Sequence, residues 1–295
     1  MRKTLRITGW SFGGGILLSL GAFVGLLVFP GFLFAHKTEY RNFTVYSQQQ
    51  LVGMDSILRN VESRLKTSPL YDPSLEQDIF FGHDNVIFRD IQRVRAELIY
   101  RAMERRPSPT YNASWPPYFS HIVTFRVPDV QHNRLLTSEW PNSTDMTYTL
   151  THEVAHSLVF ARLGISAVAR LPMWKQEGYP DYVAAAEIRA NPHYTVRASV
   201  ERMLRVDLSW LKDEHGKFTP LRYDCIGKSF LRIENGDYWH TCYYISRVLM
   251  EYLLDVKGLK FDQVMSPAIS DTDTLNELMA AYNAGGPGGN SNERR

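Results

Sequence analysis

The sequence has few cysteines, little net charge and no internal repeats. Its 295 residues include two cysteines, Cys225 and Cys242, which lack the Cys-x-x-Cys spacing of a structural zinc site. These two could form a disulfide in an oxidising compartment, and the sequence leaves that open. The formal net charge is +2, which gives no sign of the basic surface of nucleic-acid-binding proteins. We therefore expect no nucleic-acid partner.

Charged residues are also missing between residues 7 and 35, directly after the basic residues Arg2, Lys3 and Arg6. At about 1.5 Å a residue, residues 16–34 span roughly 29 Å as a helix, enough to cross a hydrocarbon core of about 30 Å. Trp10 lies at the start of this run, a position typical of an interfacial aromatic residue. The preceding basic residues predict that the N-terminus is cytoplasmic and that the rest of the chain lies on the periplasmic or extracellular side.

These features predict four segments. Residues 1–9 form a cytoplasmic tail, 10–35 a transmembrane signal-anchor helix, 36–283 one domain, and the glycine-rich residues 284–295 a flexible tail. A cleaved signal peptide ending near Ala35 is an alternative, although its apolar region would exceed the usual roughly 7 to 15 residues. A buried core helix is a further alternative, which the basic flank and the lack of charge disfavour.

The domain itself is predicted to be α+β, with strands concentrated in residues 36–135 and helices in residues 136–283. Strand-like segments are Phe43–Tyr46, Asp78–Phe81, Val86–Phe88 and His121–Val127. Amphipathic or capped helices are predicted near residues 51–66, 145–163, 177–190, 196–205 and 240–256. His121–Val127 is the clearest strand, and we expect it to be an edge along which an extended peptide could pair.

A His-Glu-x-x-His sequence, His152 to His156, lies in the helix predicted at 145–163. Two histidines four residues apart share one helical face and can bind one zinc ion. Glu153 lies roughly 100° around the helix from His152, beside the metal, where it can act as the base that takes a proton from water. Leu150, Val154 and Leu158 form the opposite, apolar face, which suits a helix that is packed on one side.

A hydrolytic zinc site takes three protein ligands and leaves one position open. Glu177 follows His156 by 21 residues, beyond a helix stop at Gly164, so a returning helix can bring it to the metal. Asp181 is four residues further on the same helical face. Carboxylates in that position often accept the second ring N–H of a zinc-binding histidine, although an ordinary exposed aspartate is the alternative.

The pattern His152-Glu153-x-x-His156 with Trp174-x-x-Glu177-Gly178-x-x-Asp181-Tyr182 resembles the gluzincin metallopeptidases, in particular the bacterial membrane-tethered peptidase MA-like group. The resemblance covers about residues 120 to 260. It implies a zincin-like fold with a small mixed sheet and a largely helical C-terminal part. It also implies a Zn²⁺ cofactor held by His152, His156 and Glu177. Glu153 would be the base, and Asp181 would accept a hydrogen bond from one of the two histidine ligands.

The same resemblance implies a tyrosine that hydrogen-bonds the oxyanion of the tetrahedral intermediate. Such a tyrosine often lies nine residues before a Tyr-Leu pair, and Tyr252-Leu253 points to Tyr243, with Tyr244 and Tyr238 as competitors. The Gly-x-Met-Glu-Asn segment of the zinc aminopeptidases is absent from the sequence, as is the third histidine of the metzincins. Aminopeptidase activity is therefore not expected.

The sequence thus predicts a membrane-anchored zinc endopeptidase whose substrates are peptides or proteins outside the cytoplasm. Two alternatives stay open. One is a catalytically silent binding or assembly module at the membrane surface that keeps zinc for folding. The other is a hydrolase of a non-protein amide, such as a cell-wall peptide. The intact Glu153 favours an enzyme over a silent module.

Overall fold

The computed structural model describes Gly21, Gly25 and residues 30–92, 112–115, 121–136, 143–206, 208–219 and 237–285. Within these residues the chain is α+β, as predicted. The strands are β1 (His36–Tyr40), β2 (Phe43–Ser47), β3 (Gln77–Phe81), β4 (Asn112–Trp115), β5 (His121–Thr124), β6 (Val127–Asp129), β7 (Arg134–Leu136) and β8 (Ser143–Asp145). The helices are α1 (Met54–Leu65), α2 (86–92), α3 (Met146–Leu163), α4 (Ile165–Val168), α5 (Met173–Ala184), α6 (Ala186–Arg189), α7 (Val196–Met203), α8 (Asp237–Glu251), α9 (Phe261–Val264) and α10 (Asp271–Asn283).

The larger sheet is mixed and has the strand order β1-β2-β3-β5-β4. β2, β3 and β5 run parallel, whereas β1 and β4 pair antiparallel at the two edges. β5 therefore lies inside the sheet, between β3 and β4. The expectation that His121–Val127 forms the edge is wrong, and β4 is the edge strand beside it.

The strand predicted at His121–Val127 is also divided. β5 ends at Thr124, and after Phe125 and Arg126 the chain enters β6, which belongs to a second antiparallel sheet of β6, β7 and β8. The strand predicted at Val86–Phe88 is wrong as well, because these residues begin α2. Asn85 explains the helix start, since its side-chain oxygen accepts the Phe88 backbone N–H at 2.9 Å and so caps the first turn.

The two faces of the larger sheet are covered by different parts of the chain. Residues alternate along β2, β3 and β5, so that Val45, Ile79 and Ile122 join the main core with α1 and α3. Tyr46, Phe80 and Val123 point the other way, into a smaller aromatic cluster with Phe34, Phe88 and Phe125 among its members. The main core continues into α5, α7 and α8, so the helical part of the domain lies on one side of the sheet.

The predicted helices after residue 143 are confirmed with small shifts of their ends, except that the helix predicted near 177–190 is divided at Ala185 into α5 and α6. The motif helix α3 begins after Asp145, whose carboxylate accepts the Tyr148 backbone N–H at 2.6 Å. It ends at Gly164, which has a positive φ of 77°. The helix predicted over 240–256 is α8, followed by a wider π-helical turn, Tyr252–Val256.

The predicted anchor, 10–35, lies outside the described residues except for Gly21, Gly25 and residues 30–35. In the part of the chain that is described, no helix is both long and apolar enough to cross a membrane. Cys225 and most of the predicted C-terminal tail also fall outside the described residues, whereas Cys242 is buried in α8. The disulfide and the flexible tail stay predictions.

Candidate metal centre

The two helices that carry the motif residues lie side by side. α3 presents His152, Glu153 and His156, and α5 returns after the turn at Gly164 with Glu177 and Asp181. α5 contacts both α3 and α8, so it is the central helix of the site. The elements that the sequence predicted to meet therefore do meet.

Gly178 explains how closely α8 approaches α5. A Cβ atom at position 178 would lie 2.7 Å from the backbone oxygen of Ser246, closer than real Cβ contacts allow. Any side chain at this position would push α8 away from α5. The glycine next to Glu177 thus allows α8 to pack close to α5, which brings Tyr243 on α8 near the site.

The ligand atoms of His152, His156 and Glu177 form a small triangle. The two Nε2 atoms are 3.0 Å apart, and Glu177 Oε2 lies 3.3 Å from each of them. These three residues form a group that could hold a metal ion within the described part of the chain. His152 is buried, and His156 and Glu177 are nearly so, with side chains 15% and 13% exposed.

This triangle fits zinc. Bonds of about 2.0–2.1 Å arranged tetrahedrally around Zn²⁺ separate neighbouring ligand atoms by about 3.3 Å. The three observed edges are close to that length, and two imidazoles with one carboxylate are a donor set that zinc accepts. The three groups would leave a fourth tetrahedral position for water or substrate.

Asp181 fixes the state of His152. Its Oδ1 accepts a hydrogen bond from His152 Nδ1 at 2.8 Å, and Asp181 is buried. When the ring is neutral with its proton on Nδ1, the lone pair of Nε2 points into the triangle. The structure thus places Asp181 against the Nδ1 side of His152, the arrangement that the motif predicted.

The charges of the three residues are coupled, because a histidine that carries a proton stabilises the ionised form of Glu177. Burial by itself raises the pKa of Glu177, but the charges and hydrogen bonds of His156 and His152 outweigh it and hold that pKa well below its usual range. Burial likewise lowers the pKa of His152, yet hydrogen bonds with Asp181 and Glu177 raise it well above its ordinary value. A carboxylate that stays ionised beside two nitrogens stabilises a positive charge at their centre.

Glu153 is buried, 8% exposed, next to this centre. Its negative charge contributes to the raised pKa of both His152 and Tyr243, so the carboxylate faces the same space as they do. Arg126, which sequence reasoning missed, approaches from the link between β5 and β6. Burial lowers the pKa of Arg126, while the charge of Glu153 opposes that shift. Arg126 also donates a hydrogen bond to Thr144 Oγ1 at 2.7 Å.

The three tyrosines proposed as oxyanion donors can now be compared. The Tyr243 ring lies 6.0 Å from the His152 ring, and its hydroxyl hydrogen-bonds Glu177. Burial, followed by the charges of Glu177 and Asp181, raises the pKa of Tyr243 well above 10, so its hydroxyl keeps a proton to donate. Tyr244 instead donates to the Ser199 backbone oxygen at 3.1 Å, away from the site. The side chain of Tyr238 lies outside the described residues.

Sequence reasoning also missed a group of interacting polar side chains next to Asp181, formed by Tyr148, Arg247 and Glu251. Tyr148, one turn before His152, interacts with both Asp181 and Arg247. Arg247 Nε lies 3.2 Å from Glu251 Oε1, and both side chains are almost completely buried. Burial and the charge of Asp181 raise the pKa of Tyr148, which therefore stays a neutral donor. Asp181 thus interacts with Tyr148 as well as with His152.

Comparison of the chain with protein-family models and with curated proteins gives no match. The resemblance to the gluzincins therefore rests on the motif residues alone.

Proposed function

We propose that this protein is a zinc-dependent metallopeptidase with a zincin-like domain, and that it cleaves peptide bonds outside the cytoplasm. The observation that carries the proposal is the near-equilateral triangle of His152, His156 and Glu177 ligand atoms, with Glu153 and Tyr243 beside it. A zinc-binding site that served only for folding would not require a carboxylate base or a tyrosine donor at its open side.

Zinc, when bound, lowers the pKa of a water molecule and polarises a carbonyl group. The protein's own groups complete the chemistry. Glu153 accepts a proton from the attacking water and passes it towards the leaving amine. Tyr243 donates a hydrogen bond to the oxygen on which negative charge develops. Asp181 keeps His152 in the tautomer that binds metal.

An extended substrate needs a strand edge near the motif helix. Among the described residues β4 is such an edge, because its strand partner there is β5, and it contacts α3. We assign peptide pairing to β4 instead of β5, which is enclosed between two strands. The other edge, β1, lies at the far end of the sheet.

The test compares wild type with Glu153→Gln, measuring bound zinc and cleavage of a mixed peptide library beside cell-wall fragments. Removing the base should reduce peptide turnover by about 10²–10⁴-fold while zinc content stays the same. Glu201→Gln, a change at an exposed glutamate on α7, is the matched control and should leave both unchanged.

Other results would support the alternatives. Zinc in both proteins with no cleavage of any substrate would indicate a silent module. Cleavage confined to cell-wall fragments, and lost in Glu153→Gln, would indicate a non-peptidase amide hydrolase with the same chemistry. Equal turnover in wild type and variant would contradict the assigned role of Glu153.

The second part of the proposal is attachment to a membrane through residues 7–29 of the charge-free run, because Pro30–Leu33 already pack against the domain, with the domain on the periplasmic or extracellular side. Its support is the length of the run and the basic residues before it. Flotation of the full chain with lipid vesicles, retained after a carbonate wash, tests the attachment. Release by carbonate would contradict a spanning anchor.

A further inference from the structure

The sheet face that points away from the metal centre carries an aromatic cluster formed partly by the end of the charge-free run. Phe34 belongs to it, with its ring 4.9 Å from the Phe88 ring and 5.6 Å from the Phe80 ring. Tyr46 stacks on Phe80 at 4.7 Å. Residues from the sheet, from α2 and from the run's last turn therefore pack as one unit.

The turn Pro30–Leu33 is bound to this unit along its length. Pro30 is buried, and Gly31 lies so close to the Tyr46 ring that a Cβ there would be 2.6 Å from it. The Leu33 backbone oxygen accepts hydrogen bonds from Gln48 Nε2 at 2.7 Å and from Asn85 Nδ2 at 2.9 Å. The last residues of the charge-free run, from Pro30 onward, are therefore part of the fold.

Three apolar side chains are exposed beside this turn. Phe32, Val86 and Ile87 are 68%, 61% and 63% exposed. The segments that carry them are held together, because the Asn85 side chain donates to the Leu33 backbone oxygen and Phe88 packs on Phe34. Single exposed apolar residues are common, but adjacent ones mark a contact surface. We call Phe32, Val86 and Ile87 the apolar patch.

The position of the patch along the chain identifies what covers it. Phe32 belongs to the charge-free run and follows residue 29 by three residues, which reach at most about 10 Å. A bilayer that is spanned by residues up to 29 therefore begins within that distance of Phe32. Interfacial apolar side chains insert about 5–10 Å into the headgroup and acyl boundary, so the distance suits such contact.

We infer that the apolar patch docks on the lipid surface, so that the domain is held in one orientation instead of swinging on a tether. This inference rests on the proposed membrane attachment. It also places the metal centre, because α3 packs on the opposite face of the sheet from the patch. The sheet then lies between the bilayer and the metal centre. The substrate is therefore a polypeptide in the aqueous space beside the membrane.

The experiment places an environment-sensitive fluorescent amino acid at position 87 of the full chain, reconstituted in phosphatidylcholine vesicles with or without brominated acyl chains. Position 86 is a second site, in case a bulky residue at 87 disturbs α2. Positions 52 and 188 are matched controls, since Val52 and Ile188 are 79% and 47% exposed but lie in other parts of the domain. Brominated lipid should quench positions 86 and 87 by about twofold or more, and the controls hardly at all.

Flotation of the same samples separates the possible failures. Vesicle-bound protein with no quenching at 86 and 87 would overturn docking while leaving the anchor intact. Equal quenching at all four positions would also overturn it, because the domain would then have no fixed orientation. Protein that does not float would overturn both the anchor and the docking, whereas zinc content, measured in parallel, reports on the metal centre alone.

Discussion

Glu62 and Glu177 are both carboxylates inside the helical layer, yet their surroundings differ. Glu62 receives hydrogen bonds from Tyr71 and Arg41 and an ion pair from Lys66 at 3.0 Å. Glu177 faces two imidazole nitrogens, each 3.3 Å from the same carboxylate oxygen. Glu62 is thus neutralised by cations of the chain itself, whereas Glu177 and its partners are all suited to sharing an added cation.

The comparison shows how a structural carboxylate differs from a metal ligand when both are buried. A structural carboxylate meets donors that carry their protons permanently, such as guanidinium, ammonium and phenol groups. A carboxylate that binds a metal lies beside imidazole groups, whose nitrogens offer a lone pair to the metal once they have lost a proton. Four substitutions test this difference, from the largest expected effect to the smallest.

Tyr243→Phe should have the largest effect, since it removes the donor nearest Glu177. Loss of one oxyanion donor reduces turnover by about 10²–10³-fold. Zinc content should be unchanged, because Tyr243 is outside the triangle. The adjacent Tyr244→Phe is the control, as its hydroxyl serves the Ser199 backbone. A small effect of Tyr243→Phe together with a large effect of Tyr244→Phe would reverse the assignment.

Asp181→Asn should weaken zinc binding, because an amide no longer fixes the Nδ1 proton of His152. Loss of such a partner typically lowers metal affinity by about 10–100-fold. Competition with a fluorescent chelator measures the change. Asp255→Asn is the matched control. Asp255 accepts a hydrogen bond from the Tyr182 hydroxyl at 2.7 Å and is not part of the triangle. Unchanged affinity in Asp181→Asn would mean that His152 is oriented by other groups.

Gly178→Ala should force α8 away from α5, as the new Cβ would meet the Ser246 backbone oxygen. Overpacking of this kind costs about 1–3 kcal/mol of the free energy of unfolding. Because α8 carries Tyr243, turnover should fall more than zinc affinity does. Thermal unfolding, zinc titration and peptide cleavage measure the three quantities. A variant as stable and active as wild type would show that the helices can separate freely.

Glu62→Gln should leave zinc binding untouched and lower stability by about 1–2 kcal/mol at neutral pH. Burial alone would raise the pKa of Glu62, but its hydrogen bonds with Lys66, Arg41 and Tyr71 lower it below 4.5. A lowered folded-state pKa stabilises the protein above the unfolded value and loses that effect as the pH falls. The stability difference between wild type and variant should therefore be constant above about pH 5 and shrink below pH 4.5. A difference that grows in acid would contradict this.

Much of the site could be predicted because its information is local. His152 and His156 are one helical turn apart, Gly164 ends the helix, and Glu177 with Asp181 repeats the four-residue spacing on the next long helix. These contacts follow from helix geometry and one reversal of the chain. Tyr243 was harder, since its place depends on how closely α8 packs, which Gly178 decides through a contact with a distant backbone.

The missed features depend on pairing between distant segments. Periodicity showed that His121–Val127 is extended, but strand order and the break after Thr124 are set by partners elsewhere in the chain. Tyr148 and Arg247 gave no signal, because single polar residues become a network only when α3, α5 and α8 meet. The helix start at Val86 was hidden by β-branched side chains, which favoured a strand until the Asn85 cap is considered.

The most direct test of the metal site is a zinc titration of wild type, Glu177→Gln and Glu62→Gln side by side. We expect wild type and Glu62→Gln to bind about one zinc per chain with equal affinity. We expect Glu177→Gln to bind at least about 100-fold more weakly. Wild-type affinity in Glu177→Gln, or a parallel loss in both variants, would contradict the assignment of His152, His156 and Glu177 as the metal ligands.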